Sequence, residues 1–289
     1  MANSDEKQEF VLIIGAMKSG TTSLFDLLGQ HPEINPAIDK EPNYFIKDRK
    51  RSYLDLWKEG DSCSKLALES SVAYTKFPFI EGVPKRINEY SAGNFRFIYI
   101  VRHPIKRIES QVRHGIFAGW GQSLDEGMSE DLIAFSSYAM QLEEYRKYFS
   151  RDKIFIVVLE EFKQSPEKVL TDICEFLNLD KEFKFKNVKE RKNSGDFFNT
   201  PKFVSKLTQG NIGKFFIKYI LTKNFKNWLR NKMTAIAKLN NEKGNTQRRW
   251  QTTAEERDKI LRALEADLKQ LNKEYAVDVK KFWHLNLNE

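Results

Sequence analysis

FVLIIGAMKSGTTSLFDLL, residues Phe10 to Leu28, decides the fold class. The apolar run Phe10 to Ile14, closed by Gly15, has the length of a buried strand, and Leu24, Leu27 and Leu28 carry the spacing of one helix face. Between them lies a small-residue loop with Lys18, Ser19, Gly20, Thr21 and Thr22. The first backbone N–H groups of a helix have no intrahelical acceptor and lie at the positive end of its dipole, so an anion is favoured there. A lysine and hydroxyls beside those amides make this a phosphate-type site.

In nucleoside-triphosphate P-loops the lysine directly follows the second glycine, and a Ser or Thr comes next to hold magnesium. Here Lys18 precedes Gly20 and sits within the loop, which counts against an ATPase or GTPase. The arrangement resembles the phosphosulfate-binding loop of sulfotransferases that use 3′-phosphoadenosine-5′-phosphosulfate (PAPS). That resemblance implies that Lys18 contacts the 5′-phosphate and bridging oxygen, with Ser19, Gly20, Thr21 and Thr22 around the same group. A degenerate P-loop is the alternative at this point.

At 289 residues the chain can bury a sizeable core as one domain, or as one domain with a large insertion. The opening MANSDEKQE is polar, and no apolar run is long enough to cross a bilayer, so a cytoplasmic setting is expected. Two cysteines, Cys63 and Cys174, are too few for a disulfide framework and lack metal spacing; both read as structural, and no metal is expected. The net charge of +8 is uneven: residues 201–250 hold twelve Lys/Arg against one acid, Glu242, leaving the remainder slightly acidic.

Further along, Lys40-Glu41-Pro42-Asn43-Tyr44-Phe45 reads as an extended or turn segment because of Pro42. Golgi-type glycan sulfotransferases have a similar Lys-Glu-Pro-aromatic stretch at this distance from the loop, and the resemblance makes Glu41 the general base. The bland reading of Glu41 is a turn-capping surface glutamate paired with Lys40. The strand 65–69 runs into Ser70, where the Golgi-type pattern has a lysine; Lys40 and Lys76 are the candidates to replace it. The run FRFIYIV, residues 95–101, is apolar enough for a central strand buried on both faces. It ends in Arg102-His103-Pro104, with a helix expected from Pro104 to about His114. Sulfotransferases show a similar Arg-x-Pro segment with a serine eight positions after the arginine, which implies that Arg102 and Ser110 bind the 3′-phosphate. His114, one turn beyond Ser110, is a candidate acid/base or substrate contact.

Residues 131–149 read as one helix, 154–159 as a strand, and 168–177 as a helix with Ser165 as N-cap. The acidic turn around Glu160 resembles a part of bacterial sulfotransferases that is architectural. Arg191 and Lys192 resemble a basic loop that closes over the 3′-phosphate. The aromatic, basic stretch 201–250 reads as an insert or lid, a contact for an anionic membrane, or a dock for an acidic partner such as an acyl carrier protein; a plain packed helix with solvated lysines is the alternative. The pattern returns at 252–275 as a long amphipathic helix, followed by Phe282-Trp283.

Together the resemblances cover most of the chain and imply an α/β, three-layer, P-loop-like sulfotransferase fold with a mainly parallel central sheet and a helical insert, one domain over 1–289. They imply sulfuryl transfer from PAPS to a hydroxyl or amine of a natural-product or carrier-protein-bound acceptor, releasing 3′,5′-adenosine bisphosphate (PAP), with no nucleic acid partner. Two rivals stay open: a magnesium-dependent nucleotide kinase or NTPase, and a membrane- or nucleic-acid-binding module resting on the basic insert. Oligomeric state is not readable from the sequence.

Overall fold

The computed structural model describes residues 8–47, 52–57, 66–90, 93–117, 130–188 and 251–286. In chain order these form β1 (Gln8–Gly15), α1 (Thr21–Leu28), β2 (Ile34–Pro36), β3 (Leu66–Ser70), α2 (Val83–Asn88), β4 (Gly93–Val101), α3 (Pro104–Phe117), α4 (Glu130–Ala134), α5 (Tyr138–Arg146), β5 (Ile154–Val158), α6 (Leu159–Gln164), α7 (Pro166–Leu177), α8 (Ala254–Tyr275) and α9 (Val279–Trp283), with short 3-10 turns between some of them. The chain divides into two compact units. The first comprises Met1–His103, Ala134–Lys192 and Leu264–Glu289, the second Pro104–Ile133 and Asn193–Ala263.

The first unit is built on a five-stranded sheet in the order β2-β3-β1-β4-β5, with every neighbouring pair parallel. A central parallel strand needs apolar cover on both faces. The run Phe10 to Ile14 of β1 meets that need, each residue being fully buried. On one face Val11 and Ile13 join Leu24 and Leu28 of α1, Ile98 and Ile100 of β4, and Leu170, Ile173 and Leu177 of α7 in one aliphatic core. On the other, aromatic rings form the cover. Phe10 stacks on Phe95 at 5.1 Å and meets Tyr53 at 5.0 Å, while Phe97 packs against Tyr145 and Phe149 at 5.0 and 4.7 Å. Cys174 lies in the aliphatic core, where burial pushes its thiol up to about 11, as suits a structural cysteine.

In the second unit Arg107 of α3 is fully buried and donates to Gln111 Oε1 at 2.6 Å and to the Leu132 carbonyl at 2.9 Å. Glu109, also buried, accepts from the Thr252 amide and hydroxyl at 3.2 and 2.9 Å, which fixes the chain just before α8 begins.

Three expectations change. The helix expected over 131–149 is two helices, α4 and α5, separated at Phe135–Ser137. The Ser137 amide turns back to the Ala134 carbonyl, and the Gln141 side chain donates to that same carbonyl while clasping Phe77 through both its amide and its carbonyl. These tertiary bonds outweigh helix continuation. The acidic turn at Glu160 is helical, as α6, and leads directly into α7. Ser165 stands at the N-cap position of α7, but its hydroxyl caps nothing; its backbone carbonyl accepts from Val169 instead. Among the described residues no helix is long and apolar enough to cross a membrane. Cys63 and the segment 201–250 lie outside the described residues.

The N-terminus of α5 is held by Asp267 of α8, whose carboxylate accepts from the amides of Ala139 and Met140 at 3.2 and 2.8 Å. Burial nevertheless pushes the Asp267 carboxyl up to about 6, against the lowering effect of those amides. The folded state therefore binds more protons than the unfolded state between about pH 4 and 6, and stability falls as pH rises through that window. Asp267→Asn removes this dependence. Urea unfolding at pH 4 and pH 7.5 is expected to show the stability difference between the two proteins moving by about 2–3 kcal/mol toward the variant at the higher pH; a pH-independent difference would contradict it.

Candidate active site

The loop after β1 is shaped by close backbone approaches. Thr75 Oγ1 donates to the Ile14 carbonyl at 2.9 Å, and a Cβ on Gly15, at φ +148°, would collide with the Thr75 hydroxyl oxygen, so only glycine ends the strand here. The Ala16 amide donates to Ile100 at 2.7 Å and the Ser19 amide to Ala16 at 3.2 Å. Lys18 and Gly20 both take left-handed backbone, at φ 69° and 93°, which turns the chain into α1. No side chain caps α1, and its first backbone bond runs from the Leu24 amide to Gly20, so the amides of Thr21, Thr22 and Ser23 precede the helical ladder.

Ser19 is fully buried, and among the described residues its hydroxyl has no hydrogen-bond partner. An unmet buried hydroxyl costs about 1–3 kcal/mol. An anionic oxygen received at this helix start would satisfy it together with the leading amides. On that observation the loop fits a phosphate or phosphosulfate group.

Arg102 follows β4, and its Nη1 donates to the Lys18 carbonyl at 2.9 Å, tying the strand end to the loop. The expected convergence of Arg102 and Ser110 on one phosphate involves both units: Arg102 belongs to the first, whereas Ser110 and His114 lie on α3 of the second, each partly exposed. Arg191 and Lys192 lie outside the described residues.

Glu41 is held from several sides. Its amide donates to the Ser70 carbonyl at 2.9 Å, its Oε2 accepts from the Val72 amide at 2.8 Å, and its Oε1 lies 2.6 Å from Lys40 Nζ. Glu41 and Asn43 both have left-handed backbone, at φ 62° and 53°. Asn43 stabilises the bend by donating from its side chain to the Glu41 carbonyl at 2.8 Å, and its own amide donates to Ser71 Oγ at 3.0 Å. The carboxylate is thus both paired with Lys40, as the bland reading had it, and fixed against the end of β3. Of the two lysines considered for the role at Ser70, Lys40 is the one on Glu41. Lys76 is buried, with its ammonium 5.3 Å from the Phe135 ring centre.

One residue escaped the sequence reading. Glu69 is fully buried and accepts from Tyr53 and from Ser71 Oγ, the same Ser71 that holds Asn43. Burial raises the Glu69 carboxyl, opposed by the Ser71 and Tyr53 donors, and the charge of Glu41 adds to the rise. A glutamate inside the apolar run LALES was the available signal. Ser70, which stands where the Golgi-type pattern has a lysine, is fully buried, with a hydroxyl lacking a partner among the described residues. It shares the strand face of Leu68, which belongs to the aliphatic core beneath α1, and it pairs in register with Ile13, two residues before Gly15.

A parallel sheet whose central strand passes through a lysine-bearing loop into an uncapped helix, with a fixed carboxylate at the end of the neighbouring strand, defines an α/β protein of the sulfotransferase type. The chain belongs to the sulfotransferase domain family, whose model matches residues 8–238. It is 26% identical over 197 residues to heparan sulfate glucosamine 3-O-sulfotransferase 6 of Mus musculus, covering 62% of this chain and 56% of that protein. It is likewise 26% identical over 202 residues to heparan sulfate glucosamine 3-O-sulfotransferase 3A1 of the same species, covering 62% and 49%. The chain thus spans about half the length of these curated relatives. A sulfotransferase from Alicyclobacillus acidocaldarius shares the fold, with a TM-score of 0.55 at 19% identity over 96% of this chain and 98% of that one.

Proposed function

We propose that the protein transfers a sulfuryl group from PAPS to a hydroxyl or amine of a natural-product or carrier-protein-bound acceptor. The observation that carries the reading is the loop at the start of α1, with its leading amides, the left-handed Lys18 and the buried Ser19 hydroxyl, which has no partner among the described residues. PAPS, when bound, supplies an activated sulfuryl group on a phosphate leaving group. Sulfuryl transfer resembles phosphoryl transfer in its loose, in-line transition state, so the protein contributes chiefly position and charge. Lys18 meets negative charge that grows on the leaving phosphate oxygen. Ser19, Gly20, Thr21 and Thr22 hold the 5′ end, while Arg102, Ser110, Arg191 and Lys192 serve the 3′-phosphate.

Glu41 takes the proton from the acceptor at a carboxylate oxygen. Both of its oxygens already accept one hydrogen bond, and each retains a second lone pair for an acceptor O–H or N–H. Lys40 Nζ, 2.6 Å from one of these oxygens, is the cation paired with the carboxylate. His114 is a further candidate contact to the acceptor. An acidic carrier protein suits the strongly basic stretch 201–250; the names of the curated relatives favour a glycan as the second reading.

The test is transfer from PAPS labelled at the sulfuryl sulfur, offered a hydroxyacyl chain on a carrier protein and a glucosamine-containing oligosaccharide. Label on either acceptor with stoichiometric release of PAP is expected, and the labelled acceptor decides between the two readings. ATP turnover with magnesium in place of PAP release would overturn both.

A further inference from the structure

The turn that carries Arg102 is gripped from behind by residues distant in sequence. The Glu160 carboxylate of α6 accepts the His103 amide on Oε1 at 3.2 Å and the Trp283 indole N–H on Oε2 at 3.0 Å. The Tyr138 hydroxyl, on the first residue of α5, donates to the Arg102 carbonyl at 2.6 Å. Trp283 is 3% exposed, and its ring centre lies 6.0 Å from Tyr138 and 6.3 Å from His103. On the other side of the turn, the Arg102 guanidinium donates to the Lys18 carbonyl at 2.9 Å. An unbroken set of contacts therefore runs from the last described helix, through one carboxylate and two backbone groups, into the anion-binding loop. All of it lies within the first unit.

A Trp that merely filled core would need any acceptor for its N–H. Here the acceptor is a carboxylate whose other oxygen holds the residue after Arg102, so one side chain joins the indole to the Arg102 turn. An arginine swinging at a strand end would present its fork to a phosphate only part of the time. Fixing the peptide group that follows its Cα, while the Lys18 carbonyl holds the guanidinium, reduces that freedom in advance of binding.

We propose that Trp283 and Glu160 are positioning residues for the donor site, acting through the His103 and Arg102 backbone to set the Arg102 guanidinium and the Lys18 loop for an adenosine bisphosphate ligand. The inference rests on the donor reading above. Neither residue touches the donor; their effect is on its affinity and not on proton transfer.

The experiment is calorimetric titration of PAP into the full chain, comparing wild type with Trp283→Phe, which keeps a ring but loses the N–H donor, and with Glu160→Gln. Each variant is expected to bind PAP about tenfold more weakly than wild type, with the acceptor KM unchanged. The double variant is expected to lose little more than either single one, because both act through one contact. In an Arg102→Ala background the same substitutions should change PAP affinity by less than about twofold, a signature that general loosening of the fold would not produce. Melting temperatures are measured alongside; should Trp283→Phe be unfolded at the assay temperature, Glu160→Gln carries the comparison. Equal PAP affinity in wild type and the folded variants would overturn the positioning role alone, and absence of PAP binding by wild type would overturn the donor reading and this role with it.

Discussion

Glu41→Gln is expected to lower turnover by about 10² to 10⁴ while PAP affinity stays within about twofold, since general-base catalysis contributes a factor of that size and the side chain serves the acceptor. The substitution is nearly isosteric. A glutamine in the same rotamer still accepts the Val72 amide, and the Glu41 amide still donates to Ser70, so the segment keeps its shape. What is lost is the proton acceptor and the charge facing Lys40 at 2.6 Å. Rapid-quench turnover beside calorimetric titration separates the two effects. A variant that keeps wild-type turnover would remove Glu41 from the chemistry and leave it as a turn residue.

Lys18→Ala is expected to cost about 10² to 10³ in turnover, the range found when one donor to a developing oxyanion is removed. It is also expected to weaken PAP binding, because the ammonium contacts the 5′ group in the product complex as well. Left-handed backbone at φ 69° adds a local cost that alanine bears as lysine does, so the folded loop changes little. The diagnostic is the split between the two proteins: Glu41→Gln loses turnover with product affinity intact, whereas Lys18→Ala loses both. Identical patterns in the two variants would contradict the assignment of separate roles.

Sequence alone reached the central strands, the loop and α1 because their signals are local. An apolar run closed by glycine and a helix face at fixed spacing need no partner to be recognised. The three-residue β2 was not visible, since only its pairing with β3 makes it a strand. The break between α4 and α5 was hidden for the same reason, as it depends on Gln141 reaching Phe77 and Ala134 across the fold. At the candidate site, Glu41 was singled out from its neighbours in sequence. What holds it, the Val72 amide and the Ser70 carbonyl, comes from another strand end. The Arg102 tie to Lys18 and the Trp283–Glu160 contact join positions far apart in the chain and leave no periodicity to read.

The donor site is tested most directly by calorimetric titration of the purified chain with PAP, beside ATP with magnesium. Micromolar binding of PAP, weakened about tenfold or more but still measurable in Lys18→Ala and in Arg102→Ala, is the predicted result. Binding of ATP with magnesium and not of PAP would contradict it and make the loop a degenerate P-loop after all.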